Sequence, residues 1–301
     1  MHESRRRRFL IVLFGMLALT LSVVPLLSQT PQTSASGARK KLLFLTHPSL
    51  YKHPSLGPAE TAVIEWGKTG GFDVTTLEGY KQDIDKIDLT MLTPEYLAQF
   101  DGLMLMTNGN LPLTDAQKRS LIDFVRNGKA LIGTHCATLT LYNYPEFGEM
   151  LGGYYLRSII PTNQVAKKMG VLKVEDRTHP ATKMLGASWT VGEEFYQFGT
   201  AVFDPARPRE NISQVGSLPI PMAFSRERVH VLLSLDTEQT DISDLPQLTK
   251  GGDYPQAWSR EFGKGRVFYT TLGHREDIWG NDPTFRAHVV GGIRWALGLE
   301  K

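Results

Sequence analysis

The chain is poor in cysteine and lacks the short motifs of the commonest cofactor sites. Cys136 is the single cysteine among 301 residues, so no intramolecular disulfide can form. Neither C-x-x-C nor H-E-x-x-H occurs, which removes the standard zinc motifs. No G-x-G-x-x-G follows a predicted strand and no phosphate-binding G-x-x-x-x-G-K-[ST] is present, so nucleotide binding is not predicted. The fold must therefore depend on its hydrophobic core, which a chain of this length can bury.

Neither sign of charge dominates the composition. Lysine and arginine number 33 against 31 aspartates and glutamates, and much of the small positive excess lies in Arg5–Arg8. The rest of the chain is therefore nearly neutral. A neutral body argues against nucleic acid, an anionic membrane or a polyanionic substrate as the partner.

The first 38 residues have the three zones of a secretory signal sequence, followed by a linker. Arg5–Arg8 are basic, Phe9–Leu27 is almost wholly apolar, and Ser28–Ala38 is small and polar. The run RRRFL also resembles a twin-arginine signal. We expect cleavage between about Ser28 and Ala38. We also expect export, by the Sec or the twin-arginine route, to the periplasm or the medium. The alternative is an uncleaved anchor, because the apolar zone is just long enough to span a bilayer.

Residues 39–301 are predicted to form a single α/β domain. Leu42–Leu45 is a short apolar run typical of a buried strand, and Ala59–Lys68 has apolar residues at helical spacing. Thr114–Asn127 is the clearest helix, because it opens on a capping box, and the strand Ala130–Gly133 follows it. This alternation predicts a flavodoxin-like, three-layer fold with a mostly parallel sheet and helices on both faces.

The second half of the chain is less regular and richer in strand signals. Val229–Leu235 is a β-rich run, and Gln256–Phe262 and Arg266–Thr271 flank Gly263-Lys264-Gly265 as a predicted hairpin. Pro283–Leu297 is a closing helix with proline at its first turn. We therefore expect an irregular β-rich insertion within the second half of the domain.

The most informative segment for chemistry is Gly133-Thr134-His135-Cys136-Ala137, where a buried strand turns sharply through small residues. Such an elbow presents its third residue at the carboxyl edge of a parallel sheet, where α/β folds place their ligands. That residue is His135, and we predict that it is catalytic. Cys136 lies one position further on and is expected to be a small buried hydrophobe.

Two more loops are expected to open onto the same edge of the sheet. Gly273-His274-Arg275-Glu276-Asp277 follows a predicted strand, which makes His274 a second catalytic candidate, with Glu276 two residues away to orient its imidazole. The loop after the first strand holds His47 and His53, of which His53 is the stronger candidate. Three imidazoles, from His53, His135 and His274, could ligate a divalent metal or do acid–base work.

A further group combines carboxylates with aromatic rings. The run Glu193-Glu194-Phe195-Tyr196 makes Glu194 a candidate general base or hydroxyl-binding carboxylate. Aromatic rings suit stacking on sugars, and Tyr196 and Trp279 are predicted to contact the substrate together with His53. The alternative for any one of these rings is ordinary packing at the edge of the core.

In their order and spacing these residues resemble the ThuA-like family, the trehalose-utilisation family. The resemblance spans about residues 41–299 and rests on His53, Gly133-Thr134-His135, Gly152-Gly153, Glu193-Glu194-Phe195-Tyr196, Trp258-Ser259-Arg260, Gly263-Lys264-Gly265-Arg266-Val267-Phe268-Tyr269 and Gly273-His274. It implies a flavodoxin-like sheet related to class I glutamine amidotransferases. It also implies a link to carbohydrate use through 3-keto sugars, so a small-molecule carbohydrate becomes the expected partner.

Two departures from the family pattern matter for the chemistry. Many relatives carry histidines shortly after the glycine pair, whereas Gly152-Gly153 is followed here by YYLRS. We therefore favour imidazoles within hydrogen-bond reach of a substrate over direct ligation of a metal. The amidotransferase relatives place a cysteine at the elbow and H-x-E late in the chain. Here His274-Arg275-Glu276 is present, but the elbow residue is His135, and the offset of Cys136 argues against glutamine hydrolysis.

Three functions are consistent with these observations. The first is an exported enzyme that acts on trehalose, a related glycoside or a keto-sugar by histidine acid–base or metal-assisted chemistry, with His135, His274 and Glu194 as its catalytic residues. The second is a non-catalytic sugar-binding module with the same crevice. The third and least favoured is a cysteine amidotransferase-like hydrolase that uses Cys136, His274 and Glu276.

Overall fold

The computed structural model describes residues 38–160, 162–165, 167–200, 212–215, 218–221 and 223–301. The predicted signal sequence and the alternative membrane anchor lie outside these residues. Within the described ranges, no helix is both long enough and apolar enough to cross a membrane.

The described residues form thirteen strands and six α-helices. The strands are β1 Lys40–Leu45, β2 Phe72–Thr76, β3 Gly102–Leu105, β4 Ala130–Thr134, β5 Tyr155–Ser158, β6 Gly170–Val174, β7 Ser188–Val191, β8 Tyr196–Phe198, β9 Ile212–Val215, β10 Leu218–Pro221, β11 His230–Leu235, β12 Pro255–Phe262 and β13 Gly265–Thr270. The helices are α1 Leu56–Gly70, α2 Pro94–Leu97, α3 Asp115–Arg126, α4 Pro145–Leu151, α5 Asp277–Asn281 and α6 Pro283–Ala296. Short 3₁₀ helices occupy Gly79–Lys81, Ile84–Lys86, His135–Leu139 and Thr162–Gln164.

Nine of these strands form one sheet, in the order β2-β1-β3-β4-β13-β12-β11-β6-β7. The strands from β2 to β13 in that order are parallel, and β12, β11, β6 and β7 continue the sheet in antiparallel fashion. The predicted α/β fold with a large, mostly parallel sheet is therefore confirmed, with five neighbouring strands parallel. The predicted hairpin is also present as β12 and β13, while β5 with β8 and β9 with β10 form two small separate sheets.

Helices cover both faces of the parallel strands, as the apolar runs in the sequence predict. Leu42 and Phe44 of β1 belong to an apolar cluster that includes buried residues of α1 and α6. Leu43 and Leu45 belong to a second cluster with residues of α3 and α4. Because alternate residues of a strand point to opposite faces, a strand buried on both sides must be apolar throughout.

Three loops meet at the carboxyl edge of the parallel strands. β1 leads into the loop 46–55, β4 into the 3₁₀ helix His135–Leu139, and β13 into the segment 271–276. β4 and β13 are direct neighbours, with Thr134 opposite Thr270. Residues that follow these two strands therefore lie side by side although they are far apart in sequence.

A buried histidine in α6 ties this helix to the sheet. His288 is fully buried, with Nδ1 2.8 Å from the carbonyl oxygen of Ala181 and Nε2 3.1 Å from Oγ1 of Thr270. Burial lowers the pKa of His288 to about 4, although the hydrogen bond to Ala181 opposes that shift. The folded protein therefore holds this ring neutral at pH values where the unfolded chain would protonate it.

We expect His288 to make the fold sensitive to mild acid. The folded pKa is lowered, so its stabilising effect is complete above pH 6.5 and is lost as pH falls towards about 4, by up to about 3 kcal/mol. His288→Gln should weaken this loss, at the cost of some stability at pH 7. Denaturant unfolding of both proteins between pH 4 and 7 measures the effect, and an unchanged pH dependence in the variant would contradict it.

Candidate active site

His135 occupies the turn that ends β4. Its backbone φ of +48° lies in the left-handed region, which costs a non-glycine residue about 1–3 kcal/mol. The ring is fully buried, and its Nδ1 lies 3.0 Å from the carbonyl oxygen of Thr271, which follows the neighbouring strand β13. When Nδ1–H donates to that carbonyl, Nε2 keeps its lone pair.

Glu194 and His274 lie beside Nε2 of His135. Nδ1 of His274 is 2.8 Å from Oε2 of Glu194. Nε2 of His135 is 3.3 Å from the same nitrogen of His274 and 3.5 Å from the same oxygen of Glu194. The three atoms thus form a triangle with sides of 2.8, 3.3 and 3.5 Å.

His53 completes the group from the loop between β1 and α1. Its ring stands edge-on to that of His135 at a centroid distance of 4.7 Å and to that of His274 at 5.6 Å. The side chain is buried, and its Nδ1 makes no hydrogen bond among the described residues. A buried polar atom without a partner is costly, and it often marks a site that receives a ligand or an ion.

Burial and mutual proximity set the charges of the group. Burial, followed by the charge of His274, lowers the pKa of His53 to about 3. The pKa of His135 lies well below its usual range because of burial and then of both neighbouring imidazoles. Burial also opposes protonation of His274, but the hydrogen bond and charge of Glu194 outweigh it and raise the pKa of His274. At neutral pH the group therefore offers two neutral imidazoles beside an imidazole–carboxylate pair.

The geometry fits direct ligation of a metal ion. One ligand atom each from His53, His135, Glu194 and His274 lies within 4.8 Å of all the others. Four ligands about 2.0–2.1 Å from a tetrahedral centre stand about 3.3 Å apart, which is close to the sides of the triangle. Three imidazoles and one carboxylate suit a transition ion such as Zn²⁺ better than Mg²⁺ or Ca²⁺, which prefer oxygen ligands. The sequence favoured imidazoles that only hydrogen-bond to a substrate, but the donor atoms lie close enough together for a metal ion.

The group borders a cavity of about 550 Å³ on the side of His274. The other lining residues are Tyr51, Pro54, Val165, Arg275, Glu276 and Asp277. A larger cavity of about 620 Å³ lies at the antiparallel strands, and none of the four clustered residues lines it. Among the four clustered residues, His274 is the one that lines the smaller cavity, so a ligand bound there would contact the group through His274.

Comparison with protein families agrees with this fold and with the motifs. The family model ThuA, described as trehalose utilisation, matches residues 41–214 and 220–296. The chain belongs to the ThuA family. The resemblance predicted from the sequence is thereby confirmed, and with it an association with trehalose utilisation. No curated protein matches the sequence significantly.

Two solved ThuA-like structures share the architecture of this ThuA protein. One, from Bacteroides uniformis, is 21% identical, with 89% of this chain and 95% of that chain covered and a TM-score of 0.61. The other, from Parabacteroides merdae, is 16% identical, with 87% and 91% covered and a TM-score of 0.58. At these identities the likeness shows the fold alone.

The structure brings together the donor atoms of four of the six residues predicted for the site, and the other two, Tyr196 and Trp279, are buried aromatic residues. His53, His135, Glu194 and His274 converge, and their chemical roles stay predictions. Trp279 is buried in the core, where it stacks on Trp66 and donates its indole N–H to the carbonyl oxygen of Gly273. This burial does not support its predicted contact with substrate, which stays a prediction.

Tyr196 is the other buried aromatic residue of the predicted site. Only 3% of it is exposed, and its ring packs against Tyr155 at a centroid distance of 4.6 Å. Its hydroxyl lies 3.1 Å from Nδ1 and 3.2 Å from Nε2 of His135. Burial of the ring does not support stacking of Tyr196 on a sugar, which stays a prediction, whereas the hydroxyl contacts the imidazole of His135.

Glu193 is a further residue of the site, for which the sequence predicted no role of its own. This buried carboxylate accepts hydrogen bonds from the backbone N–H groups of Glu194, His274 and Arg275, at 2.9, 3.2 and 3.1 Å, and a longer one from Gly273 at 3.4 Å. Burial raises the pKa of Glu193 to about 7, although the backbone donors oppose the shift. The side chain ties the loop that carries His274 to the segment that carries Glu194. Its position next to Glu194 was the only sequence signal for this role.

We expect Glu193→Ala to destabilise the protein by at least about 2 kcal/mol, because several buried N–H groups lose their acceptor. Urea unfolding at pH 8 measures the change. Glu276→Ala is the control, since Glu276 is an exposed carboxylate in the segment after β13 that Glu193 holds, and it should change stability by less than about 0.5 kcal/mol. Equal effects of the two substitutions would contradict the role given to Glu193.

Cys136 faces the apolar cluster under α1 and α6 and is 2% exposed. Burial raises the pKa of its thiol to about 12, so the reactive thiolate is not formed at neutral pH. Glu276 is exposed and is not one of the converging groups. The geometry therefore argues against the cysteine hydrolase that uses Cys136, His274 and Glu276.

Replacing Cys136 with alanine should leave the chemistry of the site intact. We expect any metal binding or turnover measured for the unmodified protein to stay within about twofold in Cys136→Ala, with a modest loss of thermal stability. Activity assays at equal folded concentration make the comparison. A loss of a thousandfold with the fold intact would restore the cysteine as nucleophile.

Proposed function

We propose that the protein is an exported, metal-dependent enzyme of carbohydrate utilisation that acts on a keto-sugar glycoside. The observation that carries this proposal is the convergence of His53, His135, Glu194 and His274 at the border of an open cavity. Membership of the ThuA family supports the carbohydrate part. The three zones of the first 38 residues support export.

The clustered residues offer a divalent ion four donor atoms of suitable kind within 4.8 Å of one another. His53 and His135 are kept neutral by burial, so their nitrogen lone pairs are available. The carbonyl of Thr271 orients His135, and the hydroxyl of Ser158 donates to Oε1 of Glu194. Outer contacts of this kind fix the tautomer and direction of metal ligands. When bound, the ion would supply Lewis-acid polarisation of a carbonyl group on the substrate.

A second candidate is an enzyme that acts on the same keto-sugar glycoside by acid–base catalysis without a metal. The hydrogen bond of 2.8 Å between His274 and Glu194 favours it, because such a pair can take up the acidic proton on the carbon next to a ketone. His135 would then hydrogen-bond to the substrate, as predicted from the sequence. A non-catalytic sugar-binding module is the remaining alternative, and it would use the same cavity without turnover.

Metal content separates these functions. We expect the purified protein to bind one Co²⁺ per chain, with the visible absorption of a tetrahedral or five-coordinate site, and His135→Ala to weaken binding by at least about a hundredfold. The ion should also be required for conversion of 3-keto-glycosides, followed by mass spectrometry.

The control variant is His230→Ala, which removes an exposed imidazole of β11 far along the sheet from β4 and should bind Co²⁺ normally. Turnover without any bound ion would favour the acid–base candidate. Sugar binding without turnover, with or without the ion, would favour the binding module.

A further inference from the structure

Tyr51 is the most exposed large hydrophobic side chain of the described residues, at 57%. It lies in the loop between β1 and α1, two residues before His53. The two rings contact each other edge-to-face at a centroid distance of 4.7 Å. An aromatic ring is thus held in solvent directly beside the candidate metal ligands, where nothing in the described core requires it.

The backbone of the loop that carries Tyr51 is held by hydrogen bonds to Asn108. Asn108 is buried, and its Oδ1 accepts from the backbone N–H groups of Leu50 and Tyr51 at 2.9 and 3.1 Å. Its Nδ2 donates to the carbonyl oxygen of Tyr51 at 2.7 Å, and its own carbonyl accepts from the N–H of Ser49. The backbone at Tyr51 is therefore fixed, and binding a ligand there would not require ordering of the loop.

The cavity next to Tyr51 has one apolar side and one polar side. Tyr51, Pro54 and Val165 supply apolar surface, whereas Arg275, Glu276 and Asp277 supply charged groups. Arg275 is already engaged, with Nε 2.9 Å from Asp277 and Nη1 3.0 Å from the carbonyl oxygen of Gly192. One cation against two carboxylates leaves this polar side without a free positive charge to attract an anion.

We propose that Tyr51 is the stacking platform of a subsite for a neutral pyranose ring, placed so that the adjoining sugar unit reaches His274 and Glu194. A pyranose presents C–H groups on its faces, which suit an aromatic ring, and hydroxyls at its rim, which suit the polar side of the cavity. This inference rests on the proposed function, because it names the substrate class of the same site. It assigns a neutral glycoside of at least two units and disfavours phosphorylated or uronic sugars.

The test compares sugar binding by variants of the metal-loaded, full-length protein. Calorimetric titration uses trehalose and 3-keto-trehalose as neutral probes, and trehalose 6-phosphate as the anionic counterpart. Tyr51→Ala should weaken binding of the neutral sugars roughly fivefold to tenfold, while Tyr51→Phe stays within about twofold, since the phenyl face is retained. Leu50→Ala is the control for the loop and should bind like the unmodified protein.

Each result has a defined meaning. Two results with the variants would overturn the subsite: unchanged binding by Tyr51→Ala, or equal weakening by Leu50→Ala. Two results with the sugars would also overturn it: tighter binding of trehalose 6-phosphate, or no binding of either neutral sugar. Co²⁺ content, measured on the same samples, should not change in Tyr51→Ala. Tyr51-dependent sugar binding in a protein that holds no ion would leave the subsite standing and reject the metal-dependent enzyme.

Discussion

The parallel pairing of β4 with β13 is the interaction on which the candidate site depends. Thr134 lies opposite Thr270, so the residues that follow the two strands leave the sheet side by side. His135 reaches the carbonyl of Thr271 across this pair, and His274 follows three residues later. The two histidines are 139 positions apart in the chain. Any shift in the register of these strands would separate them.

The site is costly for the fold, and the surrounding structure maintains it. His135 has a left-handed backbone conformation, and His53 keeps a buried nitrogen without a hydrogen bond among the described residues. Burial disfavours protonation of both rings, so neither can relieve the site by taking up charge. Such strain persists only where rigid surroundings impose it, here two strands buried on both faces. Convergence of strained and unpartnered polar groups is typical of functional sites.

Two buried polar side chains accept the backbone hydrogen bonds of the loops, as neighbouring strands do within the sheet. Asn108 holds the backbone of residues 49–51, and Glu193 holds that of residues 273–275. Each replaces regular secondary structure as the acceptor of backbone N–H groups, as buried backbone requires. Asn108 thereby fixes the segment before His53, and Glu193 fixes the segment at His274. The precision of the cluster therefore depends on two buried residues outside the four donors.

Local sequence determined the elements of the parallel half and the identity of four site residues. The apolar runs of β1 and β4 and the capping box of α3 depend on neighbours within a few positions, so periodicity and turn chemistry were sufficient to predict them. The order of parallel strands implied that His53, His135 and His274 follow strands at one edge, and the motif EEFY pointed to Glu194. Only the tertiary structure decided that Tyr196 and Trp279 are buried, that Glu193 joins two loops, and that the donor atoms lie close enough for a metal. Those outcomes depend on packing and distances between segments more than a hundred residues apart in several cases, and such contacts leave no local pattern in the chain.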